Sequence, residues 1–252
     1  MKNLKRMLIF AYIGIVTWLL YLQQPATKHP LSQEEVKSIN QKCFDECLED
    51  MVTVIAFIEG FSSTPYFCNV WTIGYGSTYI DGVPVTKDTP AITKEKGILI
   101  VKNHLKKEVK PYINCIAKPL TKGEMISTAS FIYSIGGGYF KKSEFLKAIN
   151  QGLPPKECAH HLGGFCKIAG ETSDGLKKRR WVEGVIYLSL LTPKMILDLK
   201  PTGLYNLKAE FYNPGSKKDA KGNPVFDFSH TRVKQFIAKT TPKKGDTVKE
   251  II

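Results

Sequence analysis

Glu59 is the residue of this chain whose position most suggests chemistry. It closes the apolar stretch VIAFIE (Val54–Glu59), and Gly60 follows it. A short run rich in glycine and hydroxyl groups, VWTIGYGST (Val70–Thr78), comes soon after. A carboxyl group at a helix end, facing a short polar hairpin, is one way to build a cleft for sugar hydrolysis. Glycoside cleavage needs a proton donor at the leaving oxygen and a base or anion on the opposite face of the ring. An acid at the end of an apolar helix is shielded from water, which suits the donor. Where a second carboxylate is expected beside the hairpin, the chain has Cys68. A free thiol is mostly uncharged at neutral pH unless a cation or helix N-terminus lowers its pKa. As a thiolate it could stabilise positive charge or assist water. It could equally sit in a disulfide, with Cys43 or Cys47 as partners, bracing the loop or locking it until thiol exchange.

The elements that must position these groups follow from pattern. Ser32 with Glu35 forms a capping box, and apolar residues at near-helical spacing predict a helix to about Ile58. Pro65 cannot continue it. Val70–Gly76 and Tyr79–Val85 read as short strands, with Asp81-Gly82 as a turn. Thr93 to about Ile113 is predicted helical. Thr121 with Glu124 is a second capping box, ahead of a helix stopped by Gly136-Gly137-Gly138. Further helices are predicted at Ser143–Asn150, as a turn opened by Pro154-Pro155 and running to about Leu162, and from Asp174 to about Leu191. Strands confined to one region, with helices before and after, indicate an α+β fold. Beyond about Thr192 the chain turns lysine-rich, and NPGSKKDAKGNP (Asn213–Pro224) is dense in turn formers. Val225–Phe228 and Val233–Ile237 could pack as a small hairpin or helix, and Thr240 onward resembles a mobile tail.

Three ordered blocks carry a family resemblance. IEGF (Ile58–Phe61), Tyr66 and VWTIGYGST resemble the active-site hairpin of the phage-type lysozymes, glycoside hydrolases of bacteriophage endolysins. LTKGEMISTASFIYSIGGGYFKKSEFLKAIN (Leu120–Asn150) resembles the helix, glycine turn and Lys-Ser helix of that fold. FCKIAG with DGLKKRRWVEGVIYL (Phe165–Leu188) resembles its closing segment, with a Gly-Leu-x-x-Arg-Arg-x-x-Glu pattern at Gly175, Leu176, Arg179, Arg180 and Glu183. The resemblance implies a lysozyme-like two-lobed fold, a small hairpin lobe beside a larger helical lobe. It implies a muramidase cutting the β-1,4 bond between N-acetylmuramic acid and N-acetylglucosamine in peptidoglycan, with inversion and without metal or organic cofactor. It makes Glu59 the acid, Cys68 the variant second group nine residues on, and Thr72 the residue orienting the attacking water. The loop between Cys68 and Thr72 is about two residues tighter than the family pattern. Thr78, Tyr133 and Ser134 match positions lining the sugar cleft, whereas Arg179 and Arg180 are expected to fix the last helix against the active-site lobe through ion pairs rather than touch substrate. The rival reading is a non-catalytic peptidoglycan-binding protein on a degenerate lysozyme fold. In a third, the anchor and lysine-rich tail act as a membrane-perturbing or docking device, with hydrolysis secondary.

The N-terminus bears on location. Lys2, Lys5 and Arg6 precede the apolar run Met7–Leu22, the pattern of a signal anchor, followed by a poor cleavage site at Gln23–Thr27. Residues 1–31 are therefore read as anchor and linker, 32–192 as the lysozyme domain, and 193–252 as a basic extension of unknown role. The expectation is a single pass of the inner membrane through residues 7–22, with the enzyme in the periplasm; secretion after signal cleavage is the alternative. The six cysteines, in a compartment permitting disulfides, allow fifteen full connectivities. A zinc site from Cys158, His160, His161 and Cys166 matches no standard spacing. At 252 residues, 43% hydrophobic and 11% aromatic, the chain excludes global disorder. Its net charge of +13 favours anionic partners such as acidic wall polymer, while no nucleic-acid module is present. The expected partner is peptidoglycan, and the expected state a monomer.

Overall fold

The computed structural model describes residues 30–168, 170–199 and 217–241. The apolar run at 7–22 and the tail beyond 241 lie outside the described residues. Among the described residues no helix is long and apolar enough to cross a membrane.

The helix predicted from Ser32 to Ile58 is two helices, α1 (Gln33–Glu46) and α2 (Leu48–Glu59). Cys47 breaks the run, at φ −95° and ψ 2°, in the sparsely populated bridge region. From Met51 to Ile58 every side chain of α2 is buried, so this helix runs through the core rather than along its surface. Gly60 ends it at φ 68°, a conformation that favours glycine.

Two hairpins follow. Strand β1 (Ser62–Cys68) pairs antiparallel with β2 (Val70–Gly74), Tyr66 opposite Thr72 and Cys68 opposite Val70, with Asn69 turning at φ 61°. Pro65, which cannot continue a helix, lies beyond the end already made at Gly60 and sits in a strand, which an edge position allows. Strands β3 (Tyr79–Ile80) and β4 (Val83–Pro84) pair across Asp81-Gly82, both at positive φ, as a tight hairpin turn requires.

The helical body begins with α3 (Lys94–His104), capped by Thr93. One wide π turn (Leu105–Val109) joins it to α4 (Lys110–Ile113). Pro111 accounts for the widening: it has no N–H for the Lys107 carbonyl and its ring would strike that oxygen. Helix α5 (Lys122–Ile135) has the predicted capping box and ends at Gly136. Then come α6 (Gly137–Lys141), α7 (Glu144–Asn150), α8 (Pro155–His160), a 3₁₀ turn (His161–Phe165), and a third small hairpin, β5 (Lys167–Ile168) with β6 (Glu171–Thr172). Helix α9 (Asp174–Tyr187) packs along α5; a Cβ on Gly123 would lie 2.6 Å from the Ile186 carbonyl, so the close approach depends on glycine. Helix α10 (Pro193–Leu197) closes this part.

The described part of the extension is a packed piece of the same core. Phe226, Phe228, Val233 and Phe236 are buried within it. Val233–Ile237 lies in a helix, α11 (His230–Thr240), capped by Ser229, whereas Val225–Phe228 runs without strand pairing. The fold is therefore mixed helix and small sheet, as expected.

Candidate active site

Glu59 stands where α2 meets the hairpins, and its side chain is 15% exposed. The Glu59 Oε1 atom accepts from Nη1 of Arg179, 120 positions later on α9. Arg179 is shared: its Nε donates to Glu183 Oε1 at 3.0 Å and its Nη2 to the Ser130 carbonyl at 3.2 Å. Glu183 is itself saturated, by Ser130 Oγ at 2.8 Å and by Arg180 Nη1. Burial works against charge on Arg179, but the carboxylates of Glu59 and Glu183 outweigh it and hold its pKa above the ordinary value. Arg180 is depressed, burial being the main cause, and its guanidinium lies 4.8 Å from the Phe131 ring centroid. Glu59 is thereby bonded to a guanidinium whose own position the network fixes.

Two clefts meet at Gly76 and Tyr133. One, of about 360 Å³, is lined by Glu59, Tyr133, Ser134, Ser173, Gly175 and Arg179 among others. The other, of about 610 Å³, is lined by Ser77, Thr78, Asp81, Asn103, His104 and Glu108 among others. Gly76, at φ 86°, lies in the turn between β2 and β3, and a Cβ there would sit 3.4 Å from Glu59 Oε2. Tyr133 donates its hydroxyl to the Tyr75 carbonyl at 2.9 Å, and its ring meets His104 edge-on at 4.8 Å. Burial pushes the Tyr133 phenol up, with the charge of Glu59 adding to it. Ser134 Oγ accepts from Arg180 Nη2 at 2.5 Å.

Of the residues singled out from sequence, Glu59, Tyr133 and Ser134 therefore share one cleft, and Thr78 lies in the adjoining one. Cys68 and Thr72 line neither. Cys68 is exposed at the end of the first hairpin. Thr72 is buried and donates its hydroxyl to the Val70 carbonyl at 3.2 Å. Arg179 fixes its helix against the active-site lobe as expected, through its ion pair with Glu59, and it also lines the cleft. His104, Asn103 and Glu108 were not singled out; nothing local in KNHLKKE marks them, since their exposure to the cleft depends on α3 packing beside the second hairpin.

All six cysteines are free thiols in this structure. Cys43 and Cys47 Sγ lie 4.0 Å apart, at the opposite end of α2 from Glu59. The 12 residues of α2 span about 18 Å. Burial pushes the Cys47 and Cys166 thiols up to about 12. The zinc arrangement weighed at Cys158, His160, His161 and Cys166 is not formed: among the described residues no three such side chains gather as metal ligands.

A helical body, a short active-site hairpin and an arginine-held glutamate at a cleft define a lysozyme-like protein, and the comparisons agree. The phage lysozyme family model matches residues 56–183. The SAR-endolysin of Enterobacteria phage PA-2 is 31% identical over 136 residues, 52% of this chain and 78% of that protein. The SAR-endolysin of Enterobacteria phage P21 is 30% identical over 136 residues, with the same two shares. Among solved structures, the endolysin from Escherichia coli O157:H7 phage FAHEc1 aligns at a TM-score of 0.53 and 32% identity, covering 57% of this chain and 94% of that one. The chain belongs to the phage lysozyme family.

Proposed function

We propose that the chain is a peptidoglycan-lysing muramidase in which Glu59 is the general acid. The observation that carries this is Glu59 on the wall of a cleft, within the region that the phage lysozyme family model matches, with Arg179 fixing its carboxyl group. In the reaction, Glu59 gives its proton to the glycosidic oxygen between N-acetylmuramic acid and N-acetylglucosamine. Water attacks the anomeric carbon from the opposite face, with inversion, and no metal or organic cofactor is called for. Tyr133, Ser134 and Thr78 contact the glycan along the two clefts.

Cys68 is assigned the far-face role, as the base that takes the proton of the attacking water. Its exposure leaves it reachable by water. Thr72 orients that water once its hydroxyl turns from the Val70 carbonyl. The domain spans residues 32–192, with 193–252 as its extension. Residues 7–22 anchor the enzyme to the inner membrane with the catalytic domain in the periplasm, in keeping with SAR-endolysins among its relatives. The enzyme acts as a monomer.

The test is wall cleavage by wild type and by Glu59→Gln, with binding to the same wall measured alongside. Cleavage by wild type alone, with equal binding, supports the enzyme. Equal and negligible cleavage by both leaves a glycan-binding protein on a degenerate fold.

A further inference from the structure

Helix α9 is buried from Lys178 through Tyr187, which a surface helix is not. Arg179 and Glu183 face α5 and Glu59. At about 100° per residue, Trp181 and Gly184 point roughly 150° away from them. That second face is gripped by the C-terminal segment 217–241. Trp181 Nε1 donates to the Asp227 carbonyl at 2.8 Å, and the indole packs on Phe236 with ring centroids 5.3 Å apart. A Cβ on Gly184 would stand 2.4 Å from the Phe228 ring, so the segment lies directly on the helix backbone. The segment is fastened on its own side too: Asp227 Oδ1 accepts from the Ser229 N–H at 2.9 Å, beside the cap of α11. The family match ends at residue 183, so none of the segment belongs to the matched domain.

We infer that segment 217–241 is a positioning element of the active site, which by holding Trp181 fixes the helix that presents Arg179 to Glu59. Side chains that orient a reacting group must be held to within about 0.5 Å, and their support comes from packing one layer further out. Here that layer is supplied by the extension. The inference rests on Glu59 being the catalytic acid, but its physical core, the immobility of Arg179, can be read without any glycan.

The test uses the full-length chain and Trp181→Phe, which keeps an aromatic ring and removes the N–H. The Arg179 Nε–H, bonded to Glu183, is followed by hydrogen exchange in the nuclear magnetic resonance spectrum. Cleavage of soluble glycan strands is measured in parallel. The expected result is Arg179 Nε–H exchange faster by about fivefold, a kcat lower by about three- to tenfold, and KM changed less than about twofold. Phe228→Leu, should Trp181→Phe fold poorly, is expected to act in the same direction. Unchanged Arg179 exchange in a folded variant overturns the inference, whatever happens to kcat. Faster exchange in the variant, with no cleavage even by wild type, supports the positioning role while sinking the assignment of Glu59.

Discussion

Glu59 and Arg179, 120 residues apart, are bound through one oxygen and one guanidinium nitrogen, and that bond joins the end of α2 to the middle of α9. The partner chosen for the acid is a cation that the Glu183 carboxylate and the Ser130 carbonyl already hold in place. The carboxyl group of Glu59 is thereby held in one orientation on the cleft wall, as the proposed proton donor must be.

Arg179→Ala removes one partner from a buried network and leaves Glu183 and Glu59 without their shared donor. Breaking a buried pair in this way costs about 3–5 kcal/mol. A fall of that size in unfolding free energy is expected by urea titration, together with loss of wall cleavage. Arg179→Lys keeps the charge but loses the planar fork that reaches Glu59 and Glu183 together, and is expected to fall between. An alanine variant as stable and active as wild type would show that the network is idle.

Gly76→Ala places a methyl group against Glu59 Oε2 at a backbone position with φ 86°. The left-handed backbone alone costs about 1–2 kcal/mol for a side-chain-bearing residue. The expected signature is a modest drop in melting temperature beside a disproportionate drop in kcat. Full activity in a destabilised variant would mean that Gly76 serves the turn and not the acid.

His104 gives a pH signature. Burial holds its pKa below the ordinary 6.5, against the opposing pull of Glu108. Between the two values the unfolded chain binds more protons than the folded one, so stability rises with pH there. The penalty grows as pH falls through 6.5 and is complete once pH lies below the folded value. His160, also depressed mainly by burial, acts in the same direction. Urea unfolding between pH 5 and 8 is therefore expected to show a shallower rise for His104→Gln than for wild type, and shallower still with His160→Gln added. Parallel slopes would show that His104 keeps its ordinary pKa in the folded chain.

Cys68 is the exposed cysteine; Cys47, Cys158 and Cys166 are buried. One fast-reacting thiol is expected with an aromatic disulfide reagent, and it should vanish in Cys68→Ser. In cleavage assays Cys68→Ser is expected to lose most activity and Cys68→Asp to retain it, with an acid restored at the far face. A serine variant as active as wild type removes the thiol from the mechanism. Reductant that raises wild-type but not Cys68→Ser activity would place Cys68 in a regulatory disulfide instead.

What could be read from the chain alone follows the range of the forces involved. The capping box at Thr121 and Glu124 and the stop at Gly136 are local, and the structure repeats them. Glu59 at a helix end beside a glycine-rich hairpin was equally visible, because Gly60, Gly74 and Gly76 mark the turns by type. Strand β1 was not, since Pro65 and an exposed run give no alternating pattern. Nor was the wide turn after His104, although Pro111 six residues on from Leu105 is its cause. The docking of Phe226 and Phe228 has meaning only against Gly163 and Gly184, whose missing side chains make room for them. The bond from Arg179 to Glu59 was hidden for the same reason: no local rule joins residues 120 apart, and only the folding of α9 against α5 brings them together.

The most direct measurement is the yield of soluble muropeptides released from purified peptidoglycan by wild type and Glu59→Gln, with the sugar at each new reducing end identified. The expected result is N-acetylmuramic acid at the reducing ends from wild type and none above background from Glu59→Gln, while both proteins sediment equally with the wall. Equal release by the two, or new ends that are N-acetylglucosamine, would contradict a muramidase working through Glu59.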